Sequence, residues 1–162
     1  MNVIEYLVGS AENNGELLKM ILSDFSDADM LVRPVSGANH AAWQLGHIIG
    51  GENMMVSACG GAMPPLPAGF NEKFTKETAK LDNPAAFPKK DQLLELFSQQ
   101  RQATIAWIRT LSADALDKPG PESMRQYAPT IGAVIGLLGT HTTMHVGQFQ
   151  VSRRKLGKPV MF

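Results

Sequence analysis

Residues 130–159 read TIGAVIGLLGTHTTMHVGQFQVSRRKLGKP. The run predicts one long helix, from about residue 130 to about 156. Gly157 is placed to cap its C-terminus, and Pro159 prevents its continuation. His141 and His145 stand four residues apart in this helix. At roughly 100° per residue they differ by about 40° in direction and one turn in height. Two imidazoles so placed can reach a single ion from one helix. Between Ile131 and Gln150 the helix carries no Asp or Glu, so no carboxylate base stands at helical spacing from either histidine.

Three further helical segments precede it. The first spans about residues 2–25, with Ile4, Leu7, Ala11, Leu18, Ile21, Leu22 and Phe25 at roughly helical spacing. Arg33-Pro34 breaks the pattern, and residues 36–39 read as a loop that ends in Asn39 as an N-cap. The second segment spans about residues 40–59, with Trp43, His47 and Gly50-Gly51 along one stripe. The third spans about residues 90–111 and shows Leu93, Leu94, Leu96, Phe97, Ile105, Ile108 and Leu111. Pro-rich joints lie at 60–88 and 112–129. The first is long for a loop, which predicts either a functional lid or short helices of its own, such as a brief one over about 71–81. Its Phe70 and Phe74 read as exposed residues able to cover an apolar substrate. No strand-period alternation is present. The expected fold is all-α, a four-helix bundle formed by one domain over residues 1–162. The 60–88 joint is long enough to run along the bundle as a crossover.

A third ligand for the His141–His145 pair has to come from another helix, and His47 is the best placed. It sits mid-helix among Leu45, Ile48 and Ile49, and Gly46, Gly50 and Gly51 would let a second element approach closely. Three neutral imidazoles leave coordination positions open, as catalytic sites do and closed structural sites do not. Zn²⁺ suits such a donor set, with Ni²⁺, Fe²⁺ or Co²⁺ as chemical alternatives. Against this, a single helical histidine is more often a hydrogen-bonded core or surface residue. His40 shares the face of His47 but lies about 10 Å along the axis. It reads as a cap-region or rim residue. Gln148 follows His145 by three and could serve as a hydrogen-bonding partner of a ligand. Glu52 lies about 140° round the helix from His47, which makes it a poor fourth ligand and a weak candidate base.

Composition removes some function classes. Lys plus Arg total 15 and Asp plus Glu total 15, so the chain lacks the positive field of a nucleic-acid binder. The one basic cluster, Arg153-Arg154-Lys155 with Lys158, reads as cations at a helix C-terminus. Cys59 is the single cysteine; it can form no internal disulfide and reads as a small residue at a helix end. No signal peptide or membrane-spanning stretch is evident, and a cytoplasmic protein is expected.

Two segments carry a family resemblance. Asn39-His40-Ala41-Ala42-Trp43-Gln44-Leu45-Gly46-His47 looks like a Trp-x-x-x-His segment, and His141-Thr142-Thr143-Met144-His145-Val146-Gly147-Gln148 like a His-x-x-x-His-x-Gly-Gln segment. With Gly157 and Pro159 beyond, the chain resembles the DinB-like (DinB/YfiT-like) superfamily of metal-binding four-helix bundles over essentially its whole length. The resemblance implies a divalent ion, Zn or Ni, on His47, His141 and His145. It also implies a small-molecule substrate, a low-molecular-weight thiol as cofactor, and a homodimer. Met144 and Val146 stand where many members carry His and Arg, which leaves the ligand set intact. Thiol-dependent S-transfer or isomerisation is the activity implied. The alternatives are a metal-dependent hydrolase, a non-catalytic metal- or ligand-binding bundle, or a bundle whose histidines are incidental.

Overall fold

The computed structural model describes residues 2–161. Four long helices dominate: α1 (Val3–Leu22), α2 (Ala41–Ala58), α3 (Lys90–Thr110) and α4 (Ile131–Lys155). Among the described residues the only β feature is an isolated bridge between Pro119 and Thr130. None of these helices is long and apolar enough to cross a membrane.

Each helix starts where a side chain satisfies its free N–H groups. Asn2 accepts from the Glu5 amide while Glu5 accepts from that of Asn2, a reciprocal cap on α1. Thr130 caps α4 through the Ala133 amide. For α2 the cap is His40 rather than the expected Asn39: His40 Nδ1 accepts from the Trp43 amide at 3.1 Å. Because that nitrogen accepts, its partner Nε2 carries the proton and donates to the Leu81 carbonyl at 3.1 Å. α1 ends at Leu22, short of Phe25, where Ser23 turns its hydroxyl onto the Met20 carbonyl. Gly157, at φ +69°, terminates α4 as expected.

Directions follow from cross-helix contacts. Asn14 meets Thr143 and Ile21 meets Arg153, so α1 and α4 run parallel. Glu52 meets Arg101, while Val56 and Trp107 both meet Gly61, so α2 and α3 also run parallel. Gln44 meets His145 while Gly51 faces His141, so α2 and α4 are antiparallel. A parallel α2–α3 pair requires the chain to travel back the full length of α2. Residues 59–89 do this, as the expected crossover.

That crossover is a fastened strap. Asn71 lies on Gly50 and the Phe74 ring on Gly46, where a β-carbon would stand 2.0 Å from Phe74 Cε1. Trp43 Nε1 donates to the Thr75 carbonyl, and Arg33 donates to the carbonyls of Ala38, Ala79 and Leu81 and to Asp82. The brief helix expected over 71–81 is instead two 3-10 turns, Asn71–Phe74 and Thr78–Lys80, split at an extended Thr75. Thr75 and Thr78 bond each other's amides through their hydroxyls, a local alternative that competes with helix. Phe70 and Phe74, which read as exposed pocket covers, are 3% and 8% exposed and belong to the main core with Phe25, Phe97 and Phe149.

Arg153 stands in the last turn of α4, as expected of a helix-end cation, and is also buried. It is 2% exposed, pairs with Asp24 and donates to the carbonyls of Ile21 and Pro159. Lys158 joins it through the Asp24 carbonyl and Asp29. Arg154 and Lys155 remain exposed. The cluster therefore ties the end of α4 to the end of α1.

Candidate metal centre

α2 presents His47 and α4 presents His141 and His145 to one point. Nε2 of His141 lies 3.2 Å from Nε2 of His47 and 3.2 Å from Nε2 of His145. One ligand nitrogen from each of the three residues falls within 4.8 Å of the others. An ion about 2.0–2.1 Å from each nitrogen at tetrahedral angles sets neighbouring nitrogens roughly 3.3 Å apart, so this donor set fits such an ion. Gly51 lies beside His141: a β-carbon there would stand 3.7 Å from His141 Cε1, an ordinary contact. Trp43, one turn before His47, stacks on its ring with centroids 5.1 Å apart and planes 8° from parallel.

The protonation states are set by the surroundings. Gln44 is fully buried; its Nε2 donates to the Asn39 carbonyl at 2.6 Å, and its Oε1 faces His145 Nδ1 at 2.8 Å. A carbonyl can only accept, so the amide orientation is determined. Gln44 Oε1 then accepts the Nδ1 proton and leaves the Nε2 lone pair of His145 directed at the cluster. Burial, then repulsion from the neighbouring imidazoles, lowers the pKa of His145 to about 3 and that of His141 to about 4; burial lowers that of His47 too. All three are therefore neutral at pH 7, the form that binds metals.

The other candidates fall elsewhere. His40 is the buried cap of α2 and packs edge-on against Phe87. Glu52 is 1% exposed, and both its oxygens are held by Arg101 at 2.8 and 2.9 Å, which leaves it no role as a free base or fourth ligand. Gln148 is exposed, and the partner position expected of it is held by Gln44. Cys59 is half-buried at the end of α2, where burial pushes its thiol pKa up, away from a reactive thiolate. A cavity of about 600 Å³ between α1, α3 and α4, lined by Tyr6, Ser10, Asn14, Arg101, Thr143 and Met144, includes none of the three histidines.

Sequence reading missed Gln44, Arg101 and Thr142. Gln44 left no usable signal, since i, i+3 from His47 is an ordinary helical spacing. Arg101 did leave one: it interrupts the apolar run Phe97, Ile105, Ile108 of α3 at a core-facing position.

The DinB superfamily profile matches residues 11–149. The crystal structure of a conserved protein from Enterococcus faecalis superposes with a TM-score of 0.74 at 19% identity, covering 98% of this chain and 99% of that one. At that identity the likeness speaks to the fold. No curated protein matches the chain significantly. The profile covers both histidine-bearing segments and all but the ends of the bundle, and the chain belongs to the DinB superfamily.

Proposed function

We propose that this chain is a divalent-metal protein whose ion is held by His47, His141 and His145 and which acts on small molecules. The observation that carries the reading is the convergence of the three imidazoles, with two Nε2–Nε2 separations of 3.2 Å. A separation that short fits a neutral N–H···N bond or a shared cation, and Gln44, by taking the Nδ1 proton of His145, leaves its Nε2 lone pair directed at the cluster as a metal ligand requires. A divalent ion there supplies Lewis acidity and lowers the pKa of a thiol or water that meets it. The chain's own residues keep the imidazoles neutral, orient His145 through Gln44, and brace His47 against Trp43.

Within this reading we favour a thiol-dependent transferase or isomerase over a hydrolase. Glu52, the acidic residue weighed as a base, has both oxygens bound by Arg101 and is not free to take a proton. A thiol, with an ordinary pKa near 8.5, needs less help to ionise than water does. Zn²⁺ or Ni²⁺ is the expected ion. A homodimer without nucleic-acid partners completes the proposal. The loss of Glu52 as a base also favours a second reading, a non-catalytic metal-binding module.

Elemental analysis of untagged protein, beside a His141→Ala variant, tests the site. About one equivalent of Zn²⁺ or Ni²⁺ in the wild type, lost in the variant, supports it. No ion in either, even after incubation with excess metal, sinks it. Turnover of small electrophiles with added thiols, dependent on the ion, then separates enzyme from binding module.

A further inference from the structure

Arg101 of α3 is 4% exposed, and its guanidinium bonds to each of the other three helices. Nη1 donates to the Ala11 carbonyl on α1 at 2.9 Å. Nε and Nη2 donate to the two oxygens of Glu52 on α2. Nη2 donates again, to the Thr142 hydroxyl on α4, at 3.0 Å. Thr142 is 1% exposed, and its own proton goes to the Leu138 carbonyl at 2.9 Å. A pair buried this deeply gains little stability over apolar residues of the same volume, because both charges lose their hydration. Its position points to another role. Glu52 follows Gly51, the residue against which His141 packs, and Thr142 follows His141 itself. The guanidinium thus grips a backbone neighbour of the same imidazole contact on each wall of the site.

Apolar packing is non-directional and tolerates small rotations of a helix about its axis. A hydrogen bond to a buried hydroxyl does not, since a rotated α4 would leave a charged donor unpaired. We propose that Arg101, held by Glu52, is a positioning residue for the metal centre. Through the Thr142 hydroxyl it sets the rotation and height of α4, so that His141 and His145 present Nε2 to His47. The inference rests on the metal-binding reading. Ligand atoms must be held to about 0.5 Å for tight binding, which makes a directional clamp consequential.

Thr142→Val removes the hydroxyl at nearly constant volume, and Thr142→Ser keeps the hydroxyl but drops the methyl. Zn²⁺ affinity is measured by competition with a chromogenic chelator, well below the melting midpoint, with apo-protein helicity and midpoint recorded alongside. The wild type and Thr142→Ser are expected to bind alike, and Thr142→Val about tenfold more weakly. If Thr142→Val melts earlier yet binds Zn²⁺ as tightly as the wild type, the bond is only structural and the inference is overturned. A serine variant as weak as the valine overturns it too, since the methyl would then be the cause. Should the valine variant not fold, Thr142→Ala takes its place in the same comparison. A wild type that takes up no Zn²⁺ overturns the metal reading and this inference together. A tight valine variant overturns this inference alone.

Discussion

Replacing Gln44 with Leu should weaken metal binding while leaving all three imidazoles in place. Gln44 is fully buried and accepts the Nδ1 proton of His145 at 2.8 Å. Leucine fills a similar volume but accepts nothing. The Nδ1–H would then be buried without a partner, or the ring would shift its proton to Nε2 and lose its ligand lone pair. Loss of such a partner costs about 10–100-fold in metal affinity, or roughly 1.4–2.7 kcal/mol. The variant also loses the bond to the Asn39 carbonyl, so apo stability has to be followed separately. Competition for Zn²⁺ or Ni²⁺ against a chelator, at a temperature where both proteins are folded, reads the affinity directly. Gln44→Glu keeps an acceptor and should bind at least as tightly as Gln44→Leu. A leucine variant within about twofold of wild type would show that the tautomer of His145 does not depend on this bond.

Acid should destabilise the metal-free protein earlier than its carboxylates alone would. His145 titrates at about 3 in the fold and near 6.5 when unfolded, so the unfolded chain binds the extra proton between these values. Stability is therefore full above about pH 6.5 and falls as pH drops towards 3, by about 1.4 kcal/mol per pH unit for this residue. Urea midpoints in the presence of chelator should decline from pH 7.5 to 5; midpoints flat over that range would refute the assignment. Two glycine substitutions should act in opposite directions. Gly46→Ala places its β-carbon 2.0 Å from Phe74 Cε1 and should cost about 1–3 kcal/mol in thermal or urea unfolding. Gly136→Ala meets nothing within 4 Å and should gain about 0.5–1 kcal/mol from helix propensity. Equal effects from the two would contradict the close strap contact.

How much was legible in the sequence follows the range of the interactions. The spacing of His141 and His145 becomes a shared direction through helix geometry alone. The ends of α4 follow from Thr130 and Gly157, because capping is decided within a few residues. The length of the 60–88 joint allowed a crossover, and the parallel pairing of α2 and α3 required it. The short helix expected at 71–81 failed because two threonine hydroxyls offered the backbone a different local partner. Phe70 and Phe74 were misread because Phe74 is buried against Gly46 of α2, far away in the chain, and Phe70 packs on Phe74.

The sequence by itself determined that a long, carboxylate-free helix carries two imidazoles on one face, and that a glycine-flanked third histidine lies on another helix. Only the tertiary structure decided that the three nitrogens meet, that Gln44 rather than Gln148 orients His145, and that Arg101 removes Glu52 from the chemistry. Those outcomes depend on the register of α2 against α4 and on an arginine from α3 lying between them. Register is set by packing summed over all four helices, a quantity that no local spacing encodes.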